Sequence, residues 1–342
     1  MVKLILHTKD QKSTILIGKD IFSKIQQLPY HNLFLLIDEE VNILHHEKFS
    51  SFNKLIIPRG ETNKNLGTVE NVGRQLIDRG ADRSSFIVGI GGGLACDIAG
   101  FTASVYMRGV RFGFIATTLL AQVDASIGGK NGVNLDGYKN MIGVIRQPDF
   151  IWCDTTLLST LPQKEWLSGL SEIVKYGAIR QKSLFQYMEK NNHLLKDQNS
   201  EIIEHLVSES ARTKVAIVES DEQENGIRKL LNFGHTLGHA IERLSGLLHG
   251  EAVSIGMVLA SRLSFNMGYL KIDEVDRLES LLKRIGLPVT TYIDHKQLFE
   301  TLQKDKKRQG EEMHFILLKG IGDAFIKKIK LPDLEDFIYD LY

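Results

Sequence analysis

Short apolar runs alternate with amphipathic segments through the first half of the chain. The runs with the length and continuous hydrophobicity of buried parallel strands cover residues 33–37, 55–57, 86–90 and 112–116. A helical spacing of apolar positions over residues 66–79 lies between two of them. This alternation predicts an α/β domain over residues 1–160, with a mostly parallel sheet and crossover helices.

Strand patterns fade after about residue 160 and long amphipathic patterns replace them. Residues 201–218 and 251–267 have apolar positions at helical spacing over lengths typical of helices. We therefore expect a mostly helical second domain over residues 161–342, with one short strand at 313–318 that joins a sheet.

Composition narrows the class of protein. The 342 residues carry 42 basic and 42 acidic side chains, which removes a global electrostatic case for binding nucleic acid or an anionic membrane. Two cysteines, Cys96 and Cys153, are too few for a disulfide framework. No apolar run reaches the length of about 18 residues that a membrane span needs. We expect a cytoplasmic protein without nucleic-acid or membrane partners.

Three glycines, Gly91 to Gly93, follow the predicted strand 86–90 and precede a helical pattern. Such a turn places backbone N–H groups and a helix N-terminus beside a bound phosphate, as in dinucleotide sites. The spacing is not GxGxxG, and a tight turn that needs glycine only for its backbone angles is the alternative. Asp38 and the segment 59–64 also follow predicted strands.

The segment 117–140 has little apolar periodicity after Ile127 and contains four glycines. We expect an ordered loop, because long irregular segments in compact domains are usually functional. Its chemical groups are Asp124, Lys130, Lys139 and Asn140. Glycines beside lysines suit an anionic substrate, and a solvated surface loop is the alternative.

Three of the eleven histidines fall within fifteen residues. His235 and His239 are four positions apart on one predicted helix, and His249 opens the next helical pattern. With Glu172 as a further party, these residues could hold a metal ion, and spacing alone favours His235 with His239. Satisfied core histidines are the alternative. Lys175 shares a helical face with Glu172.

Six blocks occur in an order that resembles the 3-dehydroquinate synthase family: GGGxxxDxxGF, TTLLAQVDASIGGKNGVN, GxSEIVKYG, RxLLNFGHTxGHAIE, HGEAV and DKK. The resemblance extends over residues 38–307. It implies a Rossmann-like NAD-binding domain, a helical metal-binding domain and a site in the cleft between them. It also implies a lyase of the shikimate pathway that uses NAD and zinc or cobalt. The implied reaction converts 3-deoxy-D-arabino-heptulosonate 7-phosphate to 3-dehydroquinate and phosphate, with transient oxidation by NAD.

The resemblance also assigns residues. The implied metal ligands are Glu172, His235 and His249, which leaves His239 for proton transfer. The implied catalytic residues are Asp124, Lys130, Lys175, Glu224 and His239. Substrate contacts are implied for Arg108, Lys130, Asn140, Lys175, Lys214, Arg228, Asn232, His239 and Lys306, with Arg108 reaching a neighbouring subunit of a homodimer. NAD contacts are implied for Asp38, Glu61, Lys64, Gly92, Gly93, Asp97, Thr117, Thr118, Lys130, Lys139 and Thr160.

Departures from the family pattern are few: Ala116 stands for a usual proline, Asn131 for a common threonine, and residues 144–146 for a more aromatic stretch. Their expected effect is on local loop rigidity. Two alternatives of related fold remain, another sugar-phosphate cyclase and a metal-dependent polyol dehydrogenase. A non-catalytic module of the same fold is a third. Lys214 and Arg228 distinguish a 3-dehydroquinate synthase from another sugar-phosphate cyclase, since they would bind a substrate carboxylate.

Overall fold

A computed structural model describes residues 1–30, 32–136, 138–195, 199–303, 308–309 and 312–340. Contacts divide the chain into two compact units, Met1–Pro162 with Ser210–Gln223, and Gln163–Glu209 with Glu224–Tyr342. The sequence suggests a single division at residue 160. It does not predict that Ser210–Gln223 belongs to the first unit.

The first unit contains nine strands, four complete α-helices and part of a fifth among the residues described. The strands are β1 (Val2–His7), β2 (Lys12–Gly18), β3 (Leu33–Asp38), β4 (Asn53–Ile57), β5 (Phe86–Gly91), β6 (Arg111–Ala116), β7 (Lys130–Leu135), β8 (Tyr138–Ile145) and β9 (Phe150–Asp154). The helices are α1 (Glu39–Leu44), α2 (His46–Phe49), α3 (Leu66–Asp78) and α4 (Gly93–Val105). Short 3-10 helices cover Ile21–Gln27, Glu61–Asn63, Tyr106–Arg108 and Thr155–Thr160, and a π-helical turn covers Ala121–Ala125.

Seven of these strands form one sheet in the order β1-β2-β9-β6-β5-β3-β4. All neighbouring strands are parallel except β1, which pairs antiparallel with β2 at the edge. Strand β5 is buried at every position because helices and loops cover both faces of the sheet. The predicted α/β domain is confirmed. Its carboxyl ends meet at one edge, so the loops that follow β3, β4, β5, β6 and β9 lie on the same side.

The expected loop over residues 117–140 is wrong for its second half, where β7 and β8 form an antiparallel hairpin. Gly132 faces Gly143 across the two strands, and a Cβ on either would lie 2.6 Å from a backbone oxygen of the opposite strand. The close approach of the strands therefore requires glycine at both positions. Glycine also removes the alternating side-chain pattern by which strands are recognised, which explains why the sequence indicated a loop.

The second unit is mostly helical, as predicted. Its helices are α5 (Gln163–Ile179), α6 (Lys182–Lys190), α7 (Asn192–Leu195), α8 (Ser200–Ser220), α9 (His235–Ser245), α10 (His249–Asn266), α11 (Ile272–Ile285), α12 (His295–Gln303) and α13 (Leu331–Asp340), with α8 continuing into the first unit. A 3-10 helix covers Ile227–Asn232.

The strands of this unit are β10 (Arg308–Gln309), β11 (Glu312–Gly320) and β12 (Asp323–Lys330). The strand predicted at 313–318 is β11, and it lies in a separate antiparallel sheet in the order β10-β11-β12. Its buried side chains share a core with α9, α10, α12 and α13. In the part of the chain that the structure describes, no helix is both long and apolar enough to cross a membrane.

Candidate active site

Glycines allow three helices of the second unit to approach closely. A Cβ on Gly256 of α10 would overlap the carbonyl oxygen of Gly234 and lie 2.8 Å from the backbone nitrogen of Gly238 in α9. A Cβ on Gly250 would overlap the Cα of Ser168 in α5. Since Gly250 follows His249 and Ser168 lies one helical turn before Glu172, these contacts bring histidines of α9 and α10 to a carboxylate of α5.

The carboxylate of Glu172 is completely buried and faces two imidazoles. Its Oε1 lies 3.4 Å from Nε2 of His235 and 3.4 Å from Nε2 of His249. Its other oxygen forms an ion pair with Lys175, one turn along α5. The structure therefore brings together Glu172, His235 and His249, the set implied by the family resemblance.

These distances suit a metal ion. Ligand arms of about 2.1 Å in a tetrahedral zinc site separate the ligand atoms by about 3.4 Å. Nδ1 of His235 lies 3.0 Å from the carbonyl oxygen of Phe233, so this nitrogen donates its proton there and Nε2 keeps its lone pair for a metal. Both carboxylate oxygens of Glu172 are buried without a hydrogen bond of good geometry. Lys175 already pairs with Oε2, and Oε1, which faces the two imidazoles, is the oxygen that a bound cation would satisfy.

Burial and neighbouring charges shift the pKa values of the three residues in this cluster. Burial raises the pKa of Glu172, but Lys175 and the two histidines outweigh that effect and hold it well below its usual range. Burial lowers the pKa of His235 well below its usual range. Burial also disfavours a charged His249, but Glu172 and Glu242 raise its pKa to about 9. The metal-free cluster therefore holds an ionised Glu172, a neutral His235 and a protonated His249 at neutral pH.

His239 projects from the same face of α9 but is exposed, with its ring centroid 5.4 Å from that of His235. It belongs to a second possible ligand group with Glu242 and His249, and the group that contains Glu172 does not include it. The preference from spacing for His235 with His239 is thus matched by neither group. Helix α9 repeats His235, His239 and Glu242 at positions that share one face.

Other residues with implied substrate roles lie near the start of α9. Arg228 is buried on the 3-10 helix Ile227–Asn232, and Asn232 ends that helix. The side-chain amide of Asn232 donates to Glu224 Oε1 at 2.7 Å. Glu224 has a left-handed backbone with φ of 60°. Lys306, the remaining implied substrate residue of this unit, lies outside the described residues.

Most residues with implied NAD contacts follow the carboxyl ends of the parallel strands in the first unit. Asp38 ends β3 and caps α1 by accepting from the backbone nitrogens of Glu40 and Val41 at 3.0 and 3.3 Å. Burial raises its pKa. Thr117 donates its backbone N–H to the Gly91 carbonyl at 3.0 Å. A Cβ on Gly92 would lie 3.0 Å from the methyl group of Thr118, so glycine keeps the turns after β5 and β6 close together.

A polar network joins the loop after β4 to α4 and the β7–β8 hairpin. The ammonium group of Lys64 forms an ion pair with Asp97 and donates to Asn140 Oδ1 at 2.7 Å. Asn134 accepts from the backbone nitrogen of Asn140 at 2.8 Å and donates to Glu61 at 2.9 Å. Burial raises the pKa of Asp97 to about 6, although Lys64 opposes the shift. Three residues with implied NAD contacts, Glu61, Lys64 and Asp97, are thus assembled with a residue that has an implied substrate contact.

Asp124 lies on the π-helical turn and pairs with Lys214 of the segment Ser210–Gln223. The ammonium group of Lys214 also donates to the Asp124 carbonyl at 2.6 Å. Lys130 and Lys139 are exposed at the hairpin. Arg108 is exposed as well, with a left-handed backbone φ of 67°.

Sequence reasoning missed three polar residues that the structure brings to these clusters. Glu242 lies 3.6 Å from Nδ1 of His249, and its spacing three residues after His239 was the available signal. Asn134 was missed because its partners are distant in sequence. His45 was also missed: its Nε2 lies 3.1 Å from the hydroxyl of Thr160, the remaining residue with an implied NAD contact.

Solved structures share this fold over nearly the whole chain. A 2-deoxy-scyllo-inosose synthase complexed with carbaglucose-6-phosphate, NAD+ and Co2+ gives a TM-score of 0.89 at 26% identity, covering 99% of this chain and 100% of that chain. The 2-epi-5-epi-valiolone synthase ValA from Streptomyces hygroscopicus subsp. jinggangensis 5008, with NAD+ and Zn2+ bound, gives 0.88 at 26% identity and covers 98% of each chain. The fold of this chain is therefore that of the sugar-phosphate cyclases.

Family comparisons are more specific. Residues 54–168 match the model described as 3-dehydroquinate synthase N-terminal, and residues 169–308 match the one described as 3-dehydroquinate synthase C-terminal. A 3-dehydroquinate synthase from Thermoanaerobacter pseudethanolicus (strain ATCC 33223 / 39E) is 40% identical over 95% of this chain and 96% of its own length. The chain belongs to the 3-dehydroquinate synthase family, which confirms the resemblance read from its motifs.

Proposed function

We propose that this protein catalyses the reaction of its family, the conversion of 3-deoxy-D-arabino-heptulosonate 7-phosphate to 3-dehydroquinate and phosphate. A hydride passes from a substrate hydroxyl carbon to NAD and returns within the same turnover, so phosphate leaves without net formation of NADH. The protein is then a phosphate-eliminating lyase. The observation that carries the proposal is the convergence of Glu172, His235 and His249 in a chain of this family.

Glu172, His235 and His249 would hold one divalent ion, zinc or cobalt. Such an ion supplies Lewis-acid stabilisation of negative charge on a substrate oxygen. Lys175 is buried beside Glu172 and keeps that carboxylate ionised, which a ligand requires. His239 is exposed on the same helix face, where it is able to exchange a proton with bound substrate.

For NAD we propose the carboxyl edge of the parallel sheet, where ligands of open α/β sheets bind. Asp38 would accept a hydrogen bond from a ribose hydroxyl, and the turn at Gly92 and Gly93 would receive the pyrophosphate at the N-terminus of α4. Asp97 would contact a neutral polar group of the cofactor. Its ion pair with Lys64 reduces the repulsion between the Asp97 carboxylate and an anionic ligand. Contacts from Glu61, Thr117, Thr118, Lys139 and Thr160 are part of the same proposal.

The substrate carries a carboxylate and a phosphate, so its binding needs several cations. Arg228 offers a bidentate fork for the carboxylate, and Lys130, Lys214 and Lys306 supply point charges. Asn140, Asn232 and Glu224 are assigned to substrate hydroxyls, and Asp124 to orienting Lys214. Arg108 is exposed and is proposed to reach the phosphate in a neighbouring subunit, which would make the active form a homodimer. Both cysteines are free thiols, in agreement with a cytoplasmic location.

The test is an assay of phosphate release from the heptulosonate phosphate with NAD and a divalent metal, while absorbance is followed for NADH. We expect phosphate release without net NADH, and loss of activity on chelation. Glu172→Gln should abolish activity together with tight metal binding. Glu165→Gln, an exposed carboxylate on the same helix, is the matched control and should leave both unchanged.

Two results would contradict the proposal. Stoichiometric NADH without phosphate release would indicate a polyol dehydrogenase. Phosphate release from hexose or heptose phosphates that lack a carboxylate, unaffected by Arg228→Ala, would indicate another sugar-phosphate cyclase.

A further inference from the structure

Glu242 lies beside the proposed metal cluster but has no role in the reaction derived above. It is on α9, seven residues after His235, and its side chain is mostly buried. Its Oε2 lies 3.6 Å from Nδ1 of His249. The other nitrogen of that ring, Nε2, faces Glu172 at 3.4 Å. His249 is therefore held between two carboxylates, one on each ring nitrogen.

We propose that Glu242 is a positioning residue that orients His249 for the metal ion and fixes its tautomer. This inference rests on the proposed metal site. A metal-bound histidine commonly presents its second N–H to a carboxylate or a carbonyl, which fixes the ring and makes the ligand nitrogen more basic. His235 has such a partner in the Phe233 carbonyl, and Glu242 supplies the corresponding partner of His249.

The distance of 3.6 Å is longer than a hydrogen bond, which needs about 2.7 to 3.2 Å between nitrogen and oxygen. A movement of about 0.5 Å therefore closes it. The positions of the two residues in the chain favour this closer approach of Glu242 to His249. Glu242 is in the last turn of α9, and His249 begins α10 only a few residues later. The chain between them has little freedom to carry the two groups apart.

A rival role for Glu242 is ligation of a second ion with His239 and His249, whose ligand atoms lie within 4.8 Å of one another and of Glu242. That arrangement would require both nitrogens of His249 to bind cations, and thus the removal of both ring protons. It would also rely on the exposed ring of His239. One buried ion with Glu242 as an acceptor needs neither.

The experiment measures zinc affinity by chelator competition in three proteins: the natural chain, Glu242→Ala and Glu242→Gln. We expect Glu242→Ala to weaken binding about ten- to a hundred-fold, the usual effect of removing such a partner. Glu242→Gln keeps an acceptor without its charge and should fall between the two. The visible absorption bands of the Co2+-loaded protein should shift in Glu242→Ala, because the orientation of one ligand changes.

Glu251→Gln is the matched control. Glu251 is two residues from His249, but its carboxylate accepts from the backbone nitrogen of Leu248 at 2.9 Å. The variant removes the same charge near the cluster and should retain zinc affinity and the cobalt spectrum. Melting temperatures of the metal-free proteins report whether each variant folds, and Glu242→Gln, which preserves shape, keeps the test usable if the alanine variant does not.

The outcomes separate this inference from the function on which it rests. If the natural chain binds no divalent ion, or if Glu172→Gln leaves the binding of the ion unchanged, the proposed metal site itself fails. If it binds one ion and Glu242→Ala leaves affinity and spectrum unchanged, the positioning role is wrong and the metal site stands. Two ions in the natural chain, with only the weaker one lost in Glu242→Ala, would make Glu242 a ligand and would overturn the inference.

Discussion

Replacement of Gly256 by alanine tests whether close helix packing creates the metal cluster. The added methyl group would overlap the Gly234 carbonyl oxygen and lie 2.8 Å from the Gly238 nitrogen. Both obstacles are backbone atoms, so no flexible side chain can move aside. Restoring contacts of about 3.5 Å requires α9 and α10 to separate by about 1.5 Å.

The magnitude follows from two opposing effects. Overpacking a well-packed interior costs about 1 to 3 kcal/mol, and rigid backbone obstacles favour the upper value. Alanine inside a helix recovers about 1 kcal/mol relative to glycine. We therefore expect Gly256→Ala to lower the free energy of unfolding by about 2 kcal/mol. A separation of about 1.5 Å also exceeds the tolerance of about 0.2 Å in metal-ligand distances, so zinc affinity should fall.

The assay is denaturant unfolding with and without zinc, together with chelator competition. Gly73→Ala is the matched control, since Gly73 lies inside α3 and a Cβ there would have no atom within 4 Å. That variant should be stabilised by about 0.5 to 1 kcal/mol, with unchanged zinc affinity. The reasoning would be refuted if Gly256→Ala matched the natural chain in both stability and affinity, or if both variants changed stability alike.

Three further predictions concern single contacts. Lys64→Met should lower the free energy of unfolding by about 2 kcal/mol more at pH 8 than at pH 5, because the Asp97 pKa of about 6 rises further without its partner; equal losses at both pH values in denaturant titrations would contradict this. Asn131→Ala should destabilise by about 1 to 3 kcal/mol, since its amide donates to the carbonyls of Gly129 and Arg146 at 2.8 and 2.9 Å. A Cβ on Gly100 would overlap the Asn131 side chain, so Gly100→Ala with Asn131→Ala should cost less than the sum of the two in a double-mutant cycle. The raised pKa of His249, about 9, stabilises the metal-free protein below pH 6.5, and that contribution is lost as pH rises toward 9. Zinc affinity should rise over the same pH range by up to about ten-fold per pH unit, because zinc displaces the proton of His249. A zinc affinity that does not depend on pH would count against a protonated His249.

Strands β3, β5 and β6 could be predicted from the sequence because burial on both faces leaves a continuous apolar run, as in β5. Strand β9 was missed, although it too is buried at every position. Strands β1 and β2 lie at one side of the sheet, and their short apolar runs, residues 4–6 and 15–17, were not among the predicted strands. The β7–β8 hairpin was hidden by Gly132 and Gly143, which its close strand pairing requires.

Site residues divide in a similar way. Clustering in the sequence singled out the three histidines, but spacing favoured His239 as the partner of His235, whereas the structure places His249 with His235 beside Glu172. The position of His249 depends on where α10 begins relative to α5. The close approach of Gly250 to Ser168 sets that position. The motif resemblance supplied the set that the geometry then brought together.

The buried carboxylate of Glu172 has a consequence for how the protein reaches its working form. Small zinc domains unfold without their metal because nothing else holds the ligands together. Here Lys175 and a protonated His249 already neutralise Glu172. A newly made chain is therefore able to fold before it meets a metal ion, and a chain that loses its ion is able to keep its shape until it is loaded again.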